Sequence, residues 1–138
     1  MSGENKRCHL NMIQQVITRM GNSSFSLKGW SVGIMIAIYA FAGQSEHKAV
    51  VVTLIPLIVF WFLDAYYLMS ERKFRELYND VRLKKEEDID FDMNFNNIKI
   101  SMKDIKKYGF VNVLLSKTIL PFYLVCIITT LIIYLFKF

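Results

Sequence analysis

Residues 49–69 read AVVVTLIPLIVFWFLDAYYLM, and this run decides the fold class. A helix needs about 20 apolar residues to cross roughly 30 Å of hydrocarbon, and the stretch supplies them. It also carries Asp64. A carboxylate in such a segment is costly to bury in lipid, so it is expected to face a partner helix, a cavity or a pore.

Upstream, residues 44–48 (QSEHK) form a short hydrophilic turn, and residues 25–43 form a first span with an uncharged core at 29–43, GWSVGIMIAIYAFAG. A link this short makes spans one and two antiparallel neighbours. Lys28 then starts span one at the boundary where Asp64 ends span two, and an intramembrane Lys28–Asp64 pair is expected to neutralise both. Gly29, Gly33 and Ala37 recur every four residues, a spacing that lets another helix approach closely. Trp30 suits an interfacial belt. A third span falls within residues 117–138, with Pro121 near its start, where proline is tolerated.

The N-terminal segment 1–24 lacks the apolar core of a cleaved signal peptide. Within it Leu10, Ile13, Val16, Ile17 and Met20 recur at helical spacing, giving an amphipathic helix for a membrane surface or a partner helix. Gly21, Asn22, Ser23 and Ser24 are expected to interrupt it, one of the polar three capping the next helix.

Pro56 lies near the middle of span two and is expected to kink it. Phe60, Trp61, Phe62, Tyr66 and Tyr67 form an aromatic band of the kind that anchors a helix at the interface. Phe74, Leu77, Tyr78 and Val81 then continue an apolar stripe, so span two should run out of the membrane as one long helix. That extension opens a cytoplasmic segment, residues 70–116, with a basic face of Arg72, Lys73, Arg75, Arg82, Lys84 and Lys85 available to anionic headgroups. Ile89, Phe91, Met93 and Phe95 alternate with Asp90, Asp92 and Asn94. This pattern fits either a short strand at 89–100 or an extended linker with hydrophobic anchors. Ser101 and Asp104 mark the start of a helix from residue 102 to about residue 115.

The expected class is therefore an all-α membrane protein. Its 138 residues are 54% hydrophobic and 21% charged, with a net charge of +5. Residues 1–28 carry four Lys or Arg and residues 70–117 carry eleven; only Lys48 and Lys137 lie elsewhere. The positive-inside rule places the N-terminus and central segment in the cytoplasm and the C-terminus outside. Basic residues set beside spans point to topology, not to nucleic acid. Cys8 and Cys126 form no CxxC motif, and the acidic cluster at 86–92 lacks the glycine turn of a calcium loop, so no metal or cofactor is expected. There is no GxSxG, HExxH or Walker motif, and His9 and His47 fall on opposite membrane sides, so the chain does not read as an enzyme.

MIQQVITRMGNSSFSLKGW (residues 12–30) and FWFLDAYYLMSERKFRELYNDVR (residues 60–82), together with SKTILPFY (residues 116–123), resemble a family of small, mostly uncharacterised bacterial three-span inner-membrane proteins. In that family an amphipathic segment leads into span one and an LDAYYLxxERxFRxLY motif closes span two. The resemblance implies that Arg19, Phe25, Lys28, Trp30, Asp64, Tyr66, Tyr67, Glu71, Arg72, Phe74 and Arg75 are motif positions, without assigning them roles. It also implies an association with anti-phage defence loci, where small membrane proteins act as effectors that perturb the inner membrane. The expected function is an oligomeric, channel-like effector controlled through its cytoplasmic segment. The alternative is a non-conducting anchor that holds a soluble cytoplasmic partner at the bilayer.

Overall fold

The computed structural model describes residues 3–42, 48–100 and 102–136, and the fold is all-helical, with no strand among them. Three apolar helices dominate: α1 (Glu4–Ala42), α3 (Leu54–Leu83) and α6 (Leu120–Phe136). The short helices α2 (Lys48–Val52), α4 (Met102–Ile105) and α5 (Phe110–Leu114) connect them, with single 3₁₀ turns at Glu86–Asp88, Phe95–Asn97 and Lys106–Tyr108. By length and composition α1 and α3 can each cross a membrane, whereas α6 is apolar but has 17 residues.

The expected break at Gly21–Ser24 does not occur. At 39 residues, α1 is one helix about 58 Å long at 1.5 Å per residue. Its weak helix formers are absorbed by other bonds: the Ser23 hydroxyl donates to the Arg19 carbonyl at 3.0 Å, and the Thr18 hydroxyl to the Gln14 carbonyl at 3.0 Å. Packing against α3 overrides the remaining loss of propensity.

Two apolar clusters hold α1 against antiparallel α3. Ile13 and Ile17 meet Leu77 and Val81 at one end, with Leu10, Phe74, Ile89 and Met93 packed around them. At the other end Met35 joins Leu57, Ala65 and Leu68, where α5 and α6 add Val113, Tyr123 and Cys126. The continuation of α3 well past residue 69 matches the sequence reading.

Pro56 does not kink this helix. The helix is interrupted three residues earlier, at Thr53, and Pro56 occupies the first turn of α3, where its missing N–H removes no intrahelical bond. Residues 44–47 of the external turn, Gly43 and the Ser101 cap lie outside the described residues.

The alternation at 89–100 is not a strand. Each polar member of Asp90, Asp92 and Asn94 accepts a hydrogen bond from the backbone N–H two residues on, at 3.2, 2.8 and 3.0 Å. The period of two therefore reports a run of Asx turns, which satisfy the backbone locally and need no partner strand. The helix expected over 102–115 is also broken, at Gly109, whose backbone is extended. A Cβ there would lie 3.2 Å from the Lys106 carbonyl oxygen.

Because α1 has no hinge at Gly21, Gly21→Ala is expected to stabilise the protein by about 0.5–1 kcal/mol through helix propensity. The added Cβ would meet only the Glu71 carboxylate, at an ordinary 3.8 Å. Thermal unfolding in detergent followed by circular dichroism checks this, and a lowered midpoint would point to a bend that α1 needs.

Candidate functional site

Between the two apolar clusters along α1, and flanked by Leu57, Ala65 and Leu68 along α3, lies a layer of charge. Asp64, on the α1-facing side of α3, is fully buried. Its Oδ2 meets Lys28 Nζ at 2.5 Å, and its Oδ1 accepts the hydroxyl hydrogen of Ser24. Lys28 Nζ also donates to Ser24 Oγ at 3.0 Å. Ser24 and Lys28 stand four residues apart on α1, so both point at the same height of α3. The expected Lys28–Asp64 pair is present, with Ser24 as a third member. Lys28 keeps 22% of its side chain exposed while Asp64 keeps none.

From the third helix, the buried Tyr123 donates its hydroxyl to the Phe60 carbonyl at 3.2 Å. That carbonyl belongs to the helical turn that carries Asp64. Trp61, expected to be an outward anchor, instead points inward: its ring stacks on Tyr123 at 5.9 Å and its Nε1–H donates to the Leu114 carbonyl at 3.2 Å. Tyr66 and Trp30 are exposed, as an interfacial belt requires. A second polar contact lies further along α1 and α6, where Tyr39 Oη and Thr130 Oγ1 are 2.5 Å apart.

Among the described residues the Gly29, Gly33 and Ala37 stripe packs on no other helix. No atom comes within 4 Å of a Cβ built at Gly29 or Gly33, and the three residues, with Phe25, Trp30 and Ile34, line an open groove of about 550 Å³. Several basic residues of the 70–85 stretch are engaged by neighbouring side chains. Arg75 pairs with Glu71 at 2.5 Å, and Lys84 bridges Asp80 at 3.7 Å and Asp90 at 3.5 Å. Lys73 lies over the Phe95 ring at 5.6 Å, while Arg82 and Lys85 are exposed. Arg72 is half-buried, close enough to Tyr108 to act on its hydroxyl.

At the end of the bundle where α1 begins and α3 finishes, residues 84–98 form a strap across both long helices. The Glu86 carboxylate accepts the backbone N–H of Asn5 at 2.9 Å and of Lys6 at 3.3 Å, capping the first turn of α1. Lys6 Nζ donates to the Lys84 carbonyl at 2.8 Å. His9, fully buried, places Nε2 3.1 Å from the Asp92 carbonyl and its ring 5.4 Å from Phe91, where the strap turns through a left-handed residue (φ 53°). Sequence reading missed this contact, although His9 is in phase with Ile13 and Ile17 at intervals of four. Backbone N–H groups hold the Asp90 carboxyl below its ordinary 3.8, and the Asn97 amide acts the same way on Asp92. Burial, with the Glu76 carboxylate at 2.9 Å, pushes the Tyr108 hydroxyl up to about 12 and ties the segment before α5 to α3.

No group of three or more metal-ligating side chains occurs among the described residues. No protein-family model, curated protein or solved structure matches the chain.

The burial asymmetry of the ion pair gives a measurable order of stabilities. Lys28→Met strands a carboxylate with no route to water and is expected to cost about 3 kcal/mol or more. Asp64→Leu costs less, because the partly exposed Lys28 can swing to solvent. The double variant should recover most of the loss, as a double-mutant cycle in detergent unfolding would show. The strap has its own pH signature. Carboxyls with lowered folded-state values contribute stability that is complete above about 3.8 and lost as pH falls through those values. Amide hydrogen exchange at Asp92 and Asn94 should therefore accelerate below that pH while α3 stays protected.

Proposed function

We propose that this chain is a bacterial inner-membrane protein that crosses the bilayer three times, associates with its own copies, and compromises the membrane when its cytoplasmic strap is released. The observation that carries this reading is the Ser24–Lys28–Asp64 layer, a charge pair whose carboxylate is fully buried between apolar helices. In lipid an ionisable group of this kind is costly, and it characteristically marks an ion path or a switch. The spans would be the apolar parts of α1 and α3, together with α6, whose 17 residues are at the short end for a crossing. The excess of basic residues in 1–28 and 70–117 supports a strap on the cytoplasmic side.

The strap is the control element in this reading. It grips the first turn of α1 through Glu86 and the first apolar cluster through Ile89 and Met93. Because α1 is one unbroken helix, a ligand or partner that pulls the strap away lets α1 shift against α3, and the charge layer loses its register. The open Gly29–Gly33–Ala37 groove is the face on which a second copy would pack. The rival reading is an anchor that uses the same strap to hold a soluble partner and conducts nothing.

Glu86→Ala, which removes the cap without touching the ion pair, should depolarise bacteria at lower expression than wild type. Asp64→Asn in the same background should restore the potential. A voltage-sensitive dye reads both. Full potential in every variant at equal membrane abundance would favour the anchor.

A further inference from the structure

We propose that the ion which passes is the proton, carried along buried hydroxyl and carboxyl groups shared by α1, α3 and α6. The proposal rests on the three-span, conducting reading above and deepens it by naming the ion.

The interior of this bundle is more polar than packing needs. On α1 the core-facing positions run Ser24, Lys28, Ser31, Met35 and Tyr39, and only Met35 lacks a polar group. On α6 the buried residues are Tyr123, Cys126 and Thr130, each with an exchangeable hydrogen. These groups form two layers. The inner layer is Asp64 with Ser24 and Lys28, beside Tyr123. The outer layer is the Tyr39–Thr130 contact, in which the Thr130 hydroxyl also reaches the Cys126 carbonyl at 2.9 Å. Along α1 the layers are eleven residues apart, about 16 Å. Between them are two further buried groups: Ser31, whose hydroxyl donates to the Lys28 carbonyl at 2.8 Å, and Cys126, packed with the apolar Met35 and Leu57.

Size decides the ion. Leu57, Ala65, Ile119 and Tyr123 are 0–2% exposed, and the described cavities open on the outer surface, none lined by the charge layer. A hydrated metal cation finds no lumen here. A proton needs only groups that accept one hydrogen and release another, with water entering transiently at the apolar level of Met35 and Leu57 when α1 shifts. Each hydroxyl takes a proton on its oxygen and gives up its own. Asp64 alternates between carboxylate and carboxylic acid, and Lys28 remains an ammonium, so no atom is consumed and no charge is left behind. Asp64 is the one carboxyl on this route, which makes it the group that sets the rate.

Full-length protein in phosphatidylethanolamine and phosphatidylglycerol liposomes, with a potassium diffusion potential and an internal pH dye, tests the proposal. Wild type and the strap variant Glu86→Ala would be compared. The expected result is proton uptake in the strap variant, slowed in heavy water, with no passage of sodium or a trapped fluorophore. Asp64→Asn should lower it on the order of a hundredfold, the scale of a lost proton-transfer group. Tyr39→Phe, in the other layer, should lower it too and serves if Asp64→Asn does not fold. Sodium or fluorophore leaking with the proton would overturn the choice of ion and leave the membrane-compromising reading intact. Undiminished proton flux in folded Asp64→Asn would overturn the route. No flux of any species from either form would overturn both.

Discussion

A carboxylate with no exposed surface must find its counter-charge within the chain, and the rest of this fold follows from where Asp64 finds it. Lys28 comes from the neighbouring antiparallel helix, and Ser24, one turn before it, takes the second carboxylate oxygen. Two contacts at spacing four fix both the height and the rotation of α1 against α3, because a helix shifted by one residue turns its side chains by about 100°. With that register set, Gly21 falls beside Glu71, Ile17 and Ile13 reach Leu77 and Val81, and Met35 reaches Leu57. The ion pair is a poor source of net stability for charges taken out of water. Its worth lies in specifying a single alignment between two long helices that are apolar over much of their length and would otherwise slide.

Along α1 the layer also falls between the two clusters, although on α3 Ala65 and Leu68 carry the second cluster past Asp64. On one side lies a cluster sealed by the strap, and on the other a cluster sealed by α5 and α6. Only α1 and α3 run through both, and α1 does so without a hinge. Ile13 and Lys28 are fifteen residues apart on it, about 22 Å, so a displacement at the strapped end is delivered to the charge layer by a stiff rod. Capping by Glu86 and the His9 contact set the position of that rod at its start.

Much of this was legible in the sequence because it depended on composition and period. The apolar runs, the long extension of α3 and the Lys28–Asp64 pair follow from hydrophobic spacing and from the cost of a buried charge. What stayed hidden were the alternative uses of small polar residues. Ser24 reads as a helix cap, yet in a continuous helix it turns to Asp64 instead. Pro56 reads as a kink, yet an interruption of the helix three residues earlier, at Thr53, places it in a first turn, where it disturbs nothing. The alternation at 89–95 reads either as a strand, because period two is the strand's period, or as an extended linker with hydrophobic anchors, and Ile89 and Met93 do anchor it on the first cluster. Asp and Asn side chains satisfy the same period by bonding to the backbone two residues ahead. His9 was overlooked for a different reason: its phase with Ile13 and Ile17 announces burial, but only the fold of the strap supplies the carbonyl it meets.

The internal satisfaction of Asp64 changes what self-association would require. Had the carboxylate been unpaired, a second copy would have been needed to neutralise it, and oligomer formation would have been driven by electrostatics. Here the charge is met within the chain, so that driving force is absent while the ion pair holds. What remains is the Gly29–Gly33–Ala37 groove, where close backbone approach gives dispersion contact but lipid competes on nearly equal terms. Under the proposed function, association through that face would be weak while the pair is closed. It would strengthen if release of the strap pulled Lys28 from Asp64 and left two charged groups needing partners in lipid. The same residues that hold the single chain together would then become the reason for it to join others.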